Sequence, residues 1–279
     1  MSTLYSDVAF KISKLVTVTY STSFSIAVRF LQSDLRKAIY SIYGFVRFAD
    51  EIVDTFHCHN KEFLLEKFER DFYEGMEQGI SLNPVLYSFC ETVRHYKIPD
   101  ELIQAFLKSM KIDLSRNYHK TKDETNEYIF GSAESVGLMC LKIFTDGDDK
   151  LYKELSSPAK KLGAAFQKVN FLRDLKNDTV YLNRRYFHET VEKAFNESIK
   201  SKIIIDIEND FTSSLPGIRK LPAHSRLSVL IAYYYYRKLL KIIRKTPAER
   251  LLQTRVRVPN VIKVLLLIKA YLVIKLKLQ

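Results

Sequence analysis

Residues 40–56 read YSIYGFVRFADEIVDTF, an apolar stretch that becomes acidic towards its end. In a helix, Asp50 and Asp54 present their carboxylates on one face, one turn apart, and Arg47 lies on nearly the same face. Phenylalanine, isoleucine and valine side chains surround these charges. Carboxylates among apolar neighbours are costly unless something compensates them, and a metal ion with a bound anion would do so. The stretch therefore predicts a helix that carries a metal or anion site.

A second acidic stretch lies far downstream, within the sequence AKKLGAAFQKVNFLRDLKNDTV. Asp174 and Asp178 repeat the four-residue spacing, and Gln167 and Asn170 extend them into a continuous polar ridge on one side of a helix. A solvated surface face is the ordinary explanation of such a ridge. The two amides and the apolar flanks favour a ligand site instead. On this helix alone, both explanations stay open.

Two such helices can face each other across a helical bundle and bring four carboxylates together without histidine or cysteine. Hard oxygen ligands of this kind suit Mg²⁺ or Mn²⁺, and Mg²⁺ usually completes its shell with water and phosphate oxygens. Arg47 and Arg173 would add bidentate contacts to the same phosphates. A diphosphate held in this way is a good leaving group, and the carbocation left behind needs a dry, aromatic pocket. The residues thus predict metal-assisted ionisation of a diphosphate ester in a helical cavity.

The composition indicates a single helical domain. The chain of 279 residues contains only 8 glycines and 7 prolines, where about 12% is usual for the two together, so many short strands are disfavoured. Hydrophobic residues make up 47% of the chain, which is ample for a large core. No tandem repeat, low-complexity linker or shift in composition marks a boundary. Residues 1–279 are therefore expected to form one all-α domain, a bundle around a central cavity.

The net charge of +12 fits three kinds of partner: nucleic acid, an anionic membrane surface or a polyanionic small substrate. The basic residues are spread along the chain and no nucleic-acid-binding motif is evident, so nucleic acid is not expected. Three cysteines without a CxxC pair indicate a reducing compartment.

The two ends of the chain bear on localisation. The first residues lack the apolar core of a signal peptide. The C-terminal run 261–278 is apolar but interrupted by lysines, each of which costs about 2.5–3.5 kcal/mol near the middle of a span. A docking helix, or one lying on a membrane, is compatible with this pattern. We expect a cytoplasmic protein held peripherally at the inner membrane surface.

Local signals predict further helix boundaries. Ser21 either caps a helix starting at Phe24 or holds an anion at that helix N-terminus. A small-residue face between residues 131 and 137, inside a helix predicted over 121–144, indicates either close helix packing or a kink beside a cavity. The remaining boundary predictions are a cap at Ser33-Asp34, a helix start at Ser157-Pro158, a helix over 189–211 and a loop at Pro216-Gly217.

The chain resembles the squalene/phytoene synthase family, and most of all its bacterial phytoene synthases. The segments YSTSF (20–24) and RKAIYSIYGFVRFADEIVD (36–54) look like the first motif of the family, and FQKVNFLRDLKND (166–178) looks like the second. EYIFGSAESVG (127–137) and TRVRVP (254–259) resemble the middle and C-terminal segments. These motifs occur in the family's order, and two long motifs in order are highly specific.

The resemblance implies an all-α isoprenoid synthase fold and head-to-head (1′-1) condensation of two prenyl diphosphates. Two geranylgeranyl diphosphates would give phytoene for carotenoid biosynthesis through a cyclopropylcarbinyl diphosphate, with Mg²⁺ (or Mn²⁺) and without NADPH. One alternative within the class is a C30 synthase that makes squalene, dehydrosqualene or hydroxysqualene from farnesyl diphosphate. An alternative of another class is a non-catalytic basic helical module that binds membranes.

Position by position, the resemblance also implies roles for single residues. The implied metal ligands are Asp50, Asp54, Asn170, Asp174 and Asp178. The implied substrate-binding residues are Ser21, Arg47, Gln167, Asn170, Arg173, Tyr235 and Arg255. The implied catalytic residues are Arg47, Asp50, Asp54, Tyr128, Asp174 and Asp178, with Phe130 in the other register for Tyr128.

The sequence departs from the family in three places. Glu51 stands where the family often has Asp, and Asn177 where it often has Glu. Both positions lie outside the i, i+4 carboxylate pairs. The segment VYLNRRYF (180–187) is looser than the family's usual run, so no role is assigned to residues 179–188.

Overall fold

The computed structural model describes residues 4–191 and 193–276; Lys277 and Leu278, at the end of the C-terminal run, lie outside the described residues. The described residues form helices and no strand, which confirms the all-α prediction. The first seven helices are α1 Leu4–Tyr20, α2 Thr22–Val28, α3 Ser33–Asp54, α4 Lys61–Gln78, α5 Pro84–Tyr96, α6 Asp100–Ser115 and α7 Lys122–Ile129. The others are α8 Ser135–Thr145, α9 Asp149–Lys176, α10 Glu197–Lys220, α11 Ala223–Lys245, α12 Ala248–Leu251 and α13 Asn260–Lys275.

Capping residues define several helix ends. The Ser21 hydroxyl caps α2 by accepting a hydrogen bond from the Phe24 backbone N–H at 3.4 Å, as predicted, although α2 begins at Thr22 rather than at Phe24. Asn83 caps α5 in the same way, with Pro84 in the first turn, where its missing N–H costs nothing. Gly79 ends α4 with a positive φ of 75°.

Three helix starts differ from prediction. The residue before α3 is Gln32, and neither Ser33 nor Asp34 caps it, because both lie inside the first turn. The α9 helix begins at Asp149 rather than at residue 157, since the Asp148 carboxylate caps it by accepting from the Leu151 N–H at 2.9 Å. The α10 helix begins at Glu197 rather than at residue 189, behind an Asn196 cap; a short 3₁₀ turn occupies residues 188–190.

The predicted helix start at Pro158 and the predicted loop at Pro216-Gly217 share one physical explanation. Pro158 lies within α9, and Pro216 and Gly217 lie within α10. A Cβ atom on Gly217 would stand 2.3 Å from the Pro158 Cβ. The glycine therefore serves the close approach of two helices rather than a turn, which local sequence alone does not reveal.

An aromatic cluster fixes α3, the helix of residues 40–56. The ring of Phe45 is fully buried and stacks on Phe89 of α5 at a centroid distance of 4.0 Å. Phe68 and Phe72 of α4 and Phe106 of α6 surround it at 5.2–5.7 Å. Phe45 is thus a core residue, and it anchors the helix that carries the acidic face.

The small-residue face between α7 and α8 has both of the meanings that the sequence left open. Residues 130–134 form one turn of π-helix, a local distortion that is frequent beside functional sites. A Cβ on Gly131 would lie 2.4 Å from the Ala105 carbonyl oxygen, so this face packs closely on α6. Ser132, Ala133 and Gly137 instead line the central cavity.

Buried apolar residues form two cores. The first lies mainly among α3, α4, α5, α6 and α8, and the second forms around α9, α10 and α11, with α13 packed against it. The fully buried Ala270 marks the packed side of α13. Within residues 4–191 and 193–276, no helix has both the length and the apolar character needed to cross a bilayer.

Candidate active site

A cavity of about 1250 Å³ lies between the two cores. It is bounded by α1–α3, the π-turn with α8, α9, α10, α11 and the segment leading into α13. Many of its wall residues are apolar, among them Val28, Ile39, Leu141, Phe144 and Leu221. The predicted site residues that line it are Ser21, Arg47, Asp50, Gln167, Asn170, Arg173, Tyr235 and Arg255. The structure therefore brings all seven predicted substrate-binding residues to one cavity.

The α3 side of the site holds an arginine with spare bonding capacity. The Arg47 guanidinium lies 4.4 Å from the centre of the Tyr20 ring and forms an ion pair with Glu51. Its Nε is buried without a hydrogen-bond partner. A buried donor left unpaired is costly, so this group is suited to an anionic ligand in the cavity.

On the α9 side, the polar ridge bonds to neighbouring protein groups. Asn170 accepts a hydrogen bond from the Tyr236 hydroxyl at 3.2 Å, and Gln167 donates to Ser132 at 3.4 Å. Arg173 donates to Asp174 through Nε at 3.1 Å and Nη2 at 2.5 Å. The ridge faces protein and cavity rather than bulk water, which excludes the solvated-face explanation.

Asp174 also ties the C-terminal segment to the site. Arg255 donates to its carboxylate through Nε at 2.5 Å and Nη2 at 3.3 Å. The Arg255 side chain lines the cavity yet is 52% exposed, so the cavity reaches the surface at this point. Asp174 itself, like Asp54 and Asp178, is not part of the cavity wall.

The two acidic ridges are close enough to perturb each other. Burial, followed by the charge of Asp54, raises the pKa of Asp50 to about 8. Burial, followed by the charges of Asp174 and then Asp54, raises the pKa of Asp178 to about 8. Because Asp54 belongs to α3 and Asp178 follows α9, this repulsion acts across the bundle.

Arg184, in the segment after α9 to which no role was assigned from sequence, links this segment to α3 and α6. Arg184 donates to Asp54 Oδ1 through Nη1 at 2.6 Å and to the Asp113 backbone carbonyl through Nη2 at 3.3 Å. Its side chain is only 7% exposed. Asp113 lies in α6, and burial raises its pKa to about 7 although Arg184 and the Tyr128 hydroxyl favour its charged form. The sequence signal for this network is Asp113, the one acidic residue on the otherwise apolar face of α6.

Tyr128 lies behind the carboxylates rather than in the cavity wall. Its buried hydroxyl donates to Asp113 Oδ2 at 2.6 Å, and its ring stacks on Tyr186 at 5.1 Å. The residue of the other register, Phe130, does not line the cavity either. In this structure Tyr128 positions Asp113, which belongs to the Arg184 network.

Metal binding can be tested against the donor set. In the described ranges, no group of three or more Asp, Glu, His or Cys side chains is arranged to hold a metal ion, and arginines occupy Asp54 and Asp174 instead. Burial, followed by repulsion from neighbouring carboxylates, raises the pKa of Asp50 and of Asp178 to about 8, a cost of ionisation that a bound cation would offset. Asp113 Oδ1 is buried without a partner. An all-oxygen set with unmet negative charge fits Mg²⁺ chemically.

Comparison with known proteins identifies the class. The chain belongs to the squalene/phytoene synthase family, because the family model matches residues 17–261. Members of the family are prenyltransferases, and the chain is accordingly an enzyme of this type. The resemblance seen in the motifs is thereby confirmed.

Individual relatives include both a diapophytoene synthase and phytoene synthases. The chain is 26% identical over 248 residues to 4,4′-diapophytoene synthase of Staphylococcus haemolyticus, covering 81% of this chain and 84% of that protein. It is 25% identical over 261 residues to phytoene synthase of Arthrospira platensis, covering 85% and 84%.

Solved structures confirm the isoprenoid synthase fold. A dehydrosqualene synthase superposes with a TM-score of 0.84 at 24% identity, over 97% of this chain and 98% of that one. A squalene synthase from Alicyclobacillus acidocaldarius superposes with a TM-score of 0.74 at 18% identity, over 87% and 95%.

Proposed function

We propose that the protein is a phytoene synthase that condenses two geranylgeranyl diphosphates head to head. The observation that carries this proposal is the cavity, whose apolar walls end at Arg47 and Asp50 of α3 and at Arg173 of the facing α9. Its volume of about 1250 Å³ exceeds the roughly 300–1,000 Å³ of most ligand pockets. A space of that size favours two long apolar chains, and the charged end suits their diphosphates.

The charged end binds and orients the diphosphates. Arg47 and Arg173 face the cavity from α3 and α9 and offer bidentate contacts to phosphate oxygens. Ser21, which precedes α2, adds a hydroxyl on the same cavity wall. Mg²⁺, held by the carboxylates of Asp50, Asp54, Asp174 and Asp178 with the Asn170 amide, would neutralise charge on the leaving diphosphate.

The walls exclude water from the cation that ionisation leaves behind. Phe166 stacks on Tyr236 at a centroid distance of 4.0 Å, and Phe24 stacks on Tyr43 at 5.1 Å. All four rings line the cavity. Aromatic faces stabilise a cation without attacking it. Burial, the largest influence on Tyr43, raises its pKa to about 12, so its hydroxyl stays protonated and weakly nucleophilic.

A C30 synthase acting on farnesyl diphosphate is the second candidate. The observation that favours it is the sequence identity of 26% to the diapophytoene synthase, which is as high as the 25% identity to the phytoene synthase. The same charged end would serve both substrates, so the length of the apolar tails separates the two functions.

Competition between the two substrates tests the proposal. The purified protein is incubated with Mg²⁺ and equal concentrations of geranylgeranyl and farnesyl diphosphate, each carrying a different isotope, and the apolar products are separated by chain length. We expect a C40 hydrocarbon without a reductant. A C30 product that dominates the mixture would replace the phytoene synthase proposal with the second candidate.

A further inference from the structure

The exposed side of α13 carries an apolar stripe that no described residue covers. At about 100° per residue, Val261, Leu265, Ile268 and Leu272 fall within roughly 60° of one another around the helix. Their exposed fractions are 73%, 58%, 47% and 43%. Single exposed apolar residues are common, but a continuous stripe of four large ones marks a contact surface.

The opposite side of α13 is already occupied by the protein. Ala270 is fully buried, and Ile262, Leu267 and Ile274 pack against the core around α11. The helix is therefore apolar on two opposite faces, and the protein covers only one of them. A helix that is apolar all round is normally buried, so the second face calls for a second apolar partner.

The charges around the stripe identify that partner. Residues 250–276 contain six basic residues and neither Asp nor Glu. Lys269 and Lys275 are exposed and lie about 50–70° to either side of the stripe. Two copies of α13 packed face to face would bring these lysines together without an acidic partner. A surface of anionic lipid meets both needs, because its phosphates pair with the lysines and its acyl chains receive the stripe.

We propose that α13 lies along an anionic lipid surface, with the stripe inserted at the boundary between headgroups and acyl chains. Asn260 and Lys263, in the first turn of α13, line the catalytic cavity, and the half-exposed Arg255 stands just before them. Lys263 lies on the side of α13 opposite the stripe, so docking would bring the opening of the cavity to within about one helix diameter, about 10–12 Å, of the lipid surface. An apolar-tailed diphosphate could then pass between lipid and cavity. This delivery role of α13 rests on the proposed function.

Vesicle sedimentation of the full chain tests the docking. Wild-type protein is mixed with phosphatidylcholine vesicles, with and without phosphatidylglycerol. We expect binding to the anionic vesicles and at least about tenfold weaker binding for Leu265→Asp, which places a charge in the stripe. Ile205→Asp is the matched control, since Ile205 on α10 has the same 58% exposure. It should bind like the wild type.

A second pair of variants tests the charges. Loss of one basic residue near an anionic surface weakens binding about fivefold, so Lys269→Gln and Lys275→Gln should each do so, while Lys150→Gln should not. Equal vesicle binding by Leu265→Asp and wild type would overturn the proposal, as would the absence of any binding. A lipid-free dimer that Leu265→Asp converts to a monomer would also overturn it, because the stripe would then join two copies.

Activity measurements separate this inference from the function itself. Leu265→Asp should retain wild-type turnover of substrate dispersed in detergent and lose turnover of substrate supplied in anionic vesicles. Equal losses in both formats would contradict a delivery role. Absence of turnover by the wild type in detergent would refute the proposed function, while the sedimentation result would still decide the docking.

Discussion

Replacement of Arg184 by methionine should destabilise the protein strongly. The guanidinium is 7% exposed and pairs with Asp54 at 2.6 Å, while Asp113, 3.8 Å away, is itself only 6% exposed. Methionine fills similar volume but leaves a buried carboxylate without its countercharge. Loss of one partner from a buried pair typically costs about 3–5 kcal/mol, and the half-exposed Asp54 places the expected cost towards the lower end, about 3 kcal/mol.

The cost should depend on pH. Burial already raises the folded-state pKa of Asp113 to about 7, above about 3.9 for an unfolded aspartate. Removal of Arg184 raises it further. The folded state then holds a proton that the unfolded state releases, so stability falls as pH rises from about 4 towards the folded pKa. The variant should lie close to the wild type near pH 4 and deviate most above pH 7.

Urea unfolding at several pH values measures both effects. Arg116→Met is the control, because Arg116 is 52% exposed and lies 3.8 Å from Glu124, where a pair contributes about 0–1 kcal/mol. Asp113→Asn in the Arg184→Met background should recover part of the loss. Equal costs for Arg184→Met and Arg116→Met at pH 7.5 would refute the view that Arg184 holds the carboxylates together.

Two further outcomes are expected. The proposed Mg²⁺ would have to displace protons from Asp50 and Asp178, whose pKa values are raised to about 8, so its affinity should fall up to about 100-fold from pH 7 to pH 6 in calorimetric titrations; a constant affinity would contradict this. Gly217→Ala places a Cβ 2.3 Å from the Pro158 Cβ and should cost about 1–3 kcal/mol; an unchanged unfolding midpoint in urea would show that α9 and α10 part easily.

The parts of the site that sequence predicted depend on spacing within one helix. Asp50 and Asp54 share a face of α3 because helical geometry dictates it, and Gln167, Asn170 and Asp174 follow the same rule along α9. Asp178 instead lies in the π-helical turn Asn177–Tyr181 that follows α9. The all-α class followed from the scarcity of glycine and proline. These features need no knowledge of which helices meet.

The parts that sequence missed depend on contacts between distant segments. Arg184 lies in an irregular segment, and its partners Asp54 and Asp113 are 130 and 71 residues away. Pro158 and Gly217 look like local breakers, but each is explained by the other across a helix interface. Periodicity carries no information about such pairs.

The most direct test of the two-ridge site is metal-dependent release of diphosphate. Wild type, Asp50→Asn and Asp174→Asn are incubated with geranylgeranyl diphosphate, with Mg²⁺ or with EDTA, and both diphosphate and C40 hydrocarbon are measured. Asp71→Asn is the control, because Asp71 pairs with Lys67 on α4 and does not line the cavity. We expect wild type and Asp71→Asn to give both products with Mg²⁺ and neither product with EDTA. Asp50→Asn and Asp174→Asn should give neither product under either condition, while their circular dichroism remains helical. Undiminished release by folded Asp50→Asn and Asp174→Asn, or by the wild type in EDTA, would contradict the two-ridge site.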